Sequence, residues 1–199
     1  MRIGFLGAGE VAQAFAAHLL KAGHEVLLSN SRGPSSLGQI VSTLGTGAKA
    51  VTMNEAAKAP IVVLAIPWPK VEAALGKLPD WEGRILVDAT NHFLLPSLDL
   101  ADLKGRVSSE IVSELAPSAK VVKGLNTLLA SNLARDPKVG DGRRVVFVSG
   151  DDAGAKGDVS RLIEALGFAA IDLGSLREGG RAQQVGNGLA GVDLVRFGD

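Results

Sequence analysis

The chain has 199 residues, enough for one sizeable core, and its 21 acidic residues balance its 21 basic ones. No net charge draws it toward nucleic acid or an anionic membrane surface. Cysteine is absent, which excludes disulfides, thiolate metal sites and a cysteine nucleophile. His18, His24 and His92 show no metal-ligand spacing, so no metal is expected. The longest apolar run, residues 59–69, is too short to span a bilayer and holds three prolines. The N-terminus reads directly into a strand and carries no leader pattern, so a soluble cytoplasmic protein is the expectation.

In chain order, residues 2–6 form the first predicted strand, and a glycine turn leads into a helix from about residue 10 to 22. On that helix Val11, Phe15 and Leu19 fall at i, i+4 and i+8, with Ala14 beside them, which makes one apolar face. Gly23 stops it, and residues 24–29 read as the second strand. Further strands are expected at 48–51, 61–65, 85–88, 120–123, 145–149 and 169–173, with helices at 53–58, 69–76, 109–115 and 153–166. In the last helix Val159, Leu162, Ile163 and Leu166 repeat at i, i+3, i+4 and i+7. Residues 91–106 lack periodicity and read as an irregular connection. Short apolar strands alternating with amphipathic helices predict an α/β fold. The expectation is a doubly wound, mainly parallel Rossmann-type sheet in a single domain over 1–199. The glycine-rich residues 174–199 are its C-terminal appendage, placed for dimer or substrate contacts.

The first turn reads Gly7-Ala8-Gly9-Glu10-Val11-Ala12, a G-x-G-x-x-A pattern between a strand and a helix. Gly7 permits the tight turn, Gly9 leaves the backbone open to a diphosphate, and Ala12 lets the helix pack close to the strand. The helix N-terminus then offers free N–H groups and the positive end of its dipole to the phosphates. The end of the second strand decides between the two nicotinamide cofactors. An Asp or Glu there would bond ribose hydroxyls, but this chain has Ser29-Asn30-Ser31-Arg32-Gly33. Asn30 and Ser31 can donate hydrogen bonds and Arg32 can fork a phosphate, so NADP(H) is expected over NAD.

The fourth strand ends in Ala65-Ile66-Pro67-Trp68-Pro69, a rigid bend expected beside the inner ribose and nicotinamide. Trp68 also reads as a packed loop aromatic. The fifth and sixth strands end in Asp88-Ala89-Thr90-Asn91-His92 and Lys123-Gly124-Leu125-Asn126-Thr127. Asn91 and Asn126 are candidates for orienting the carboxamide or the second substrate, and either also reads as a turn amide satisfying its own backbone. His92 alone of the three histidines falls near the expected reaction centre. No Ser-His-Asp arrangement or G-x-S-x-G elbow is present, and no side chain is singled out as catalytic.

Residues 3–12, Ser29-Asn30-Ser31-Arg32, Ala65-Ile66-Pro67-Trp68, residues 121–127 and Ser149-Gly150-Asp151-Asp152 together resemble the F420-dependent NADP oxidoreductase family. The soluble domain of STEAP-type metalloreductases looks like a more distant relative. The resemblance implies hydride exchange between NADP(H) and a deazaflavin (F420) or flavin-like acceptor. It implies that Ser31 and Arg32 hold the 2′-phosphate and that Ile66, Pro67 and Trp68 line the inner half of the site. It also implies a homodimer. After Leu173 the chain departs from the family's acceptor-binding tail, which leaves the acceptor open. Two other readings stand beside this one: an imine or carbonyl reductase of the pyrroline-carboxylate or hydroxyacid type, and a non-catalytic NADP-sensing module.

Overall fold

The computed structural model describes residues 1–198. Six parallel strands carry it: β1 (Arg2–Leu6), β2 (Glu25–Ser29), β3 (Ala48–Ala50), β4 (Ile61–Leu64), β5 (Ile85–Asp88) and β6 (Lys120–Gly124). They lie in the order β3-β2-β1-β4-β5-β6. Apart from β3, each is a short, mostly apolar run buried almost throughout, as a parallel sheet covered on both faces requires. The chain winds outward from β1 through β2 to β3 and then returns to the other flank of β1 as β4. That reversal opens a crevice at the carboxyl ends of β1 and β4.

Helices cover both faces. Along β1, Ile3 and Phe5 enter one core and Leu6 enters the other. The first core receives Ala12, Phe15, Ala16 and Leu19 of α1 (Glu10–Lys21), together with Ile40, Val41 and Leu44 of α2 (Gly38–Leu44). The second is covered by α3 (Met53–Ala56), α4 (Val71–Leu75) and α5 (Ser108–Leu115). Burying Phe15 and Leu19 contributes roughly 1.5–3 kcal/mol each, which fixes α1 against the sheet and aims its N-terminus at the crevice. The turn after β6 runs into α6 (Ala130–Leu133), whose Leu133 joins the first core.

The C-terminal third departs from simple βα alternation. β7 (Lys138–Val139) turns back into the long β8 (Gly142–Gly150), which runs antiparallel to β6. The amphipathic α7 (Ala153–Ala165) returns the chain to β9 (Ala169–Asp172), parallel to β8. Beyond it, α8 (Gly179–Gln183) packs on β8, and β10 (Val195–Arg196) pairs with β8 antiparallel. The segment read as an appendage is therefore woven into the sheet. Arg144, 3% exposed, is held there by Asp193, with Nε–Oδ1 at 2.6 Å and Nη2–Oδ2 at 3.2 Å. Residues 91–106 are irregular as expected, crossed by one isolated bridge between Phe93 and Leu100.

Candidate dinucleotide site

The glycine loop closes the strand-to-helix turn. Gly7 adopts φ +113°, and a Cβ there would drive into the Ala65 carbonyl, so only glycine fits. A Cβ on Gly9 would meet no protein atom within 4 Å, because the space above it is the crevice itself. Gly9 is also the N-cap of α1 and supplies no side-chain cap, which leaves the first N–H groups facing outward. Gln13 Nε2 braces the loop from below by donating to the Ala8 carbonyl at 2.8 Å, a role that sequence reading missed.

The crevice has a volume of about 800 Å³, the size range of a cofactor site. Of the candidate residues, Gly7, Ala8, Gly9, Asn30, Ser31, Arg32, Ala65, Ile66 and Pro67 line it. At the outer end Asn30 organises the turn after β2. Its Oδ1 accepts from the Arg32 N–H at 2.9 Å and its Nδ2 donates to Ser36 Oγ at 2.9 Å. Ser31 and Arg32 stay exposed. The facing wall, unread in the sequence, brings Thr52, Met53 and Asn54 together with Lys70 and Lys77. Arg32, Lys70 and Lys77 thus give the crevice three cations, and no carboxylate lines it. The neighbouring Glu55 is turned into its own capping box. Thr52 Oγ1 and N–H both donate to its carboxylate, at 2.7 and 2.8 Å, and these bonds hold its pKa below the usual carboxylate range.

Five candidates do not stand on that wall. Glu10 and Val11 head α1, where Val11 packs against the first core, so they offer backbone N–H groups rather than side chains. Trp68 packs into the second core and meets His92 edge-on, with ring centroids 6.4 Å apart at 76°. His92 is 4% exposed and its Nδ1 has no partner. Burial first, and then the charge of Lys123, push its pKa below the ordinary imidazole value. Asn126 is buried and bonded to its protein neighbours. Its Nδ2 donates to Asn91 Oδ1 at 3.1 Å and to the Gln183 carbonyl at 2.8 Å, and its Oδ1 accepts from Gln183 Nε2 at 3.2 Å. Both Nδ2 hydrogens are thus used within the protein, and Asn126 fixes Asn91, whose Nδ2 donates to the Asn126 carbonyl at 2.9 Å. Ser149 Oγ completes this network by donating to Gln183 Oε1.

Beneath these turns lies a buried ion pair that the sequence did not announce. Asp88 and Lys123 are register partners at the ends of β5 and β6, with fully buried side chains and Nζ–Oδ2 at 3.0 Å. Lys123 Nζ also donates to the Thr90 carbonyl at 2.5 Å. Asp88 Oδ1 accepts from the Thr90 N–H at 2.9 Å and from its hydroxyl at 2.6 Å. Both members thus have hydrogen bonds beyond the ion pair itself, which offset the cost of burying the charges, and the pair pins the turn that carries Asn91 and His92. Among the described residues no group of three or more His, Cys, Asp or Glu side chains could hold a metal ion. No helix among them is long and apolar enough to cross a membrane.

A doubly wound sheet, a glycine loop at its switch point and a basic crevice define a Rossmann-type dinucleotide-binding fold. Residues 2–92 match the family described as NADP oxidoreductase, coenzyme F420-dependent. A putative F420-dependent NADP reductase from Arthrobacter is 30% identical, with a TM-score of 0.77 over 91% of this chain and 88% of that one. A hypothetical protein from Sinorhizobium meliloti is 42% identical, with a TM-score of 0.93 over 98% and 96%. The rat metalloreductase STEAP3 is 32% identical over 177 residues, covering 88% of this chain and 34% of that protein. This chain spans about a third of the length of such curated relatives. The chain belongs to the F420-dependent NADP oxidoreductase family, a family of NADP-dependent oxidoreductases.

Proposed function

We propose that this protein transfers a hydride between NADP(H) and a deazaflavin (F420) or flavin-like acceptor. The observation that carries the reading is the crevice: a glycine cradle joined to three cations with no opposing carboxylate. Gly7, Ala8 and Gly9, with the N–H groups of Glu10 and Val11, hold the diphosphate. Asn30, Ser31 and Arg32 hold the 2′-phosphate. Ala65, Ile66 and Pro67 form the wall of the inner half, backed by Trp68, and Asn91, steadied by Asn126, orients the carboxamide or the acceptor. Bound NADPH supplies the hydride from its nicotinamide. The protein's part is to align two rings and exclude water, so no side-chain acid or base is assigned.

The family and the likeness to the Arthrobacter F420-dependent reductase support this choice of acceptor class. A homodimer and a cytoplasmic setting belong to the same proposal. The dimer is supported by an apolar rim at the carboxyl end of the sheet, where Leu94, Leu95, Leu98, Leu100 and Leu129 stand exposed. Mixing the purified protein with NADPH and either F420 or FMN, and following the nicotinamide absorbance, tests the reading. NADPH oxidation with one of these acceptors is expected. Tight NADPH binding without turnover would favour a sensing module, and turnover of a cyclic imine instead would favour an imine reductase.

A further inference from the structure

The turn after β5 is tied down from several directions. The Asp88–Lys123 pair bonds to the N–H, hydroxyl and carbonyl of Thr90. Asn91 is bonded to Asn126, which Gln183 holds in turn. The Ala101 N–H donates to the His92 carbonyl at 2.9 Å and closes the loop that follows. Asp88, Thr90 and Asn91 all use their side chains in these ties. His92 uses its side chain in none. Its Nδ1 is sealed without a partner, and its Nε2 makes no hydrogen bond among the described residues. A buried polar atom left unpaired costs stability, and a residue that breaks a packing rule on an otherwise well-bonded turn points to a ligand.

Position says which ligand. Ile66 and Pro67 line the crevice; Trp68, next in the chain, leaves its lining and packs edge-on against His92. His92 follows β5, the strand that flanks β4 on the side away from the glycine loop. The imidazole therefore lies one layer past the inner wall of the crevice, and the ligand that comes next along the carboxyl ends of the strands is the hydride acceptor. Burial and the Lys123 charge keep the ring neutral, so it carries a single N–H. A buried N–H left unpaired is rarer in folded proteins than an unpaired acceptor. The proton therefore belongs on Nε2, the nitrogen that is not sealed. We infer that His92 is a specificity-determining contact for the acceptor, its Nε2–H donating to a carbonyl oxygen or ring nitrogen on one edge of a flat heterocycle. Deazaflavins and flavins both carry such an edge. The inference rests on the hydride-transfer reading above.

Steady-state NADPH oxidation by the full chain with F420 and with FMN, beside calorimetric titration with NADPH, tests it in His92→Leu, His92→Gln and His92→Asn. The amide nitrogen of Gln stands in for Nε2 and that of Asn for Nδ1. H92L is expected to lower kcat/KM for the acceptor about tenfold, chiefly through KM, with NADPH affinity within about twofold of the unaltered protein. H92Q is expected to recover to within about threefold, and H92N to behave like H92L. The contrast between Gln and Asn compares two polar variants, so it stands even where H92L folds poorly. An unchanged kcat/KM in all three variants, a loss of NADPH affinity in step with it, or recovery by Asn instead of Gln overturns the inference and leaves the hydride-transfer reading standing. Absence of NADPH oxidation by the unaltered protein with either acceptor overturns that reading and the inference together.

Discussion

Arg32 reaches the crevice from a turn whose shape is set by Asn30, and no carboxylate among the lining residues competes for its guanidinium. A charge-assisted hydrogen bond of this kind contributes about 1.5–3 kcal/mol, or roughly tenfold to a hundredfold in affinity. Arg32→Ala should therefore weaken NADPH by that factor and leave NADH nearly unchanged. Equal losses in a titration with both would remove the phosphate assignment. His92 poses a different residue-scale problem, because its buried Nδ1 has no partner. Its pKa is lowered, by burial first and by Lys123 second. The unfolded chain therefore binds a proton near pH 6.5 that the folded chain resists, and stability is lost as pH falls from that value through the lowered one. Thermal melts between about pH 5 and 7.5 should show a flatter acid limb for His92→Leu than for the unaltered protein. The neutral-pH melting temperature should be equal or higher, because no hydrogen bond of Nδ1 is lost. Parallel acid limbs would show that His92 does not carry this linkage.

Among the elements, the glycine loop separates folding from binding within three residues. Gly7→Ala forces a side chain into left-handed backbone and against the Ala65 carbonyl, costing at least about 2 kcal/mol. Gly9→Ala meets no protein atom and should melt like the unaltered chain, yet its methyl group fills the space reserved for the diphosphate. We expect G7A to lose melting temperature and G9A to lose dinucleotide affinity; binding by G9A at full strength would show that the diphosphate does not approach there. This loop was legible because each of its demands is local, and so were the six parallel strands, which read as short apolar runs. Helix α2 was not, since it has no capping side chain and its apolar residues are only half-buried. Helix α8 was hidden because it opens on Gly179 and Gly180, poor helix formers. They are there because side chains at those positions would strike Ser149 and the Leu173 carbonyl, and Ser109. The Asp88–Lys123 pair and the lysine wall depend on register and on helix position, which no local pattern states.

For the molecule as a whole, the last 25 or so residues decide whether the far side of the sheet holds its shape. β10 and the Arg144–Asp193 pair fasten the outer edge of β8, while Gln183 fastens the end nearest the site. Its fully buried amide donates to Asn126 Oδ1 at 3.2 Å and to the Phe147 carbonyl at 3.1 Å, and accepts from Ser149. Gln183→Leu preserves volume but strands three buried polar groups at about 1–3 kcal/mol each. A loss of about 3 kcal/mol or more follows, or roughly 6–12 °C in melting temperature for a domain of this size. The crevice lies between β1 and β4, and Gln183 does not line it, so calorimetry should find NADPH affinity within about twofold of the unaltered chain. An unchanged melting temperature would mean that the network rearranges at no cost. A large loss of NADPH affinity in a well-folded Q183L would mean that the C-terminal arm governs the crevice through Asn126 and Asn91, and that the two ends of the sheet act as one site.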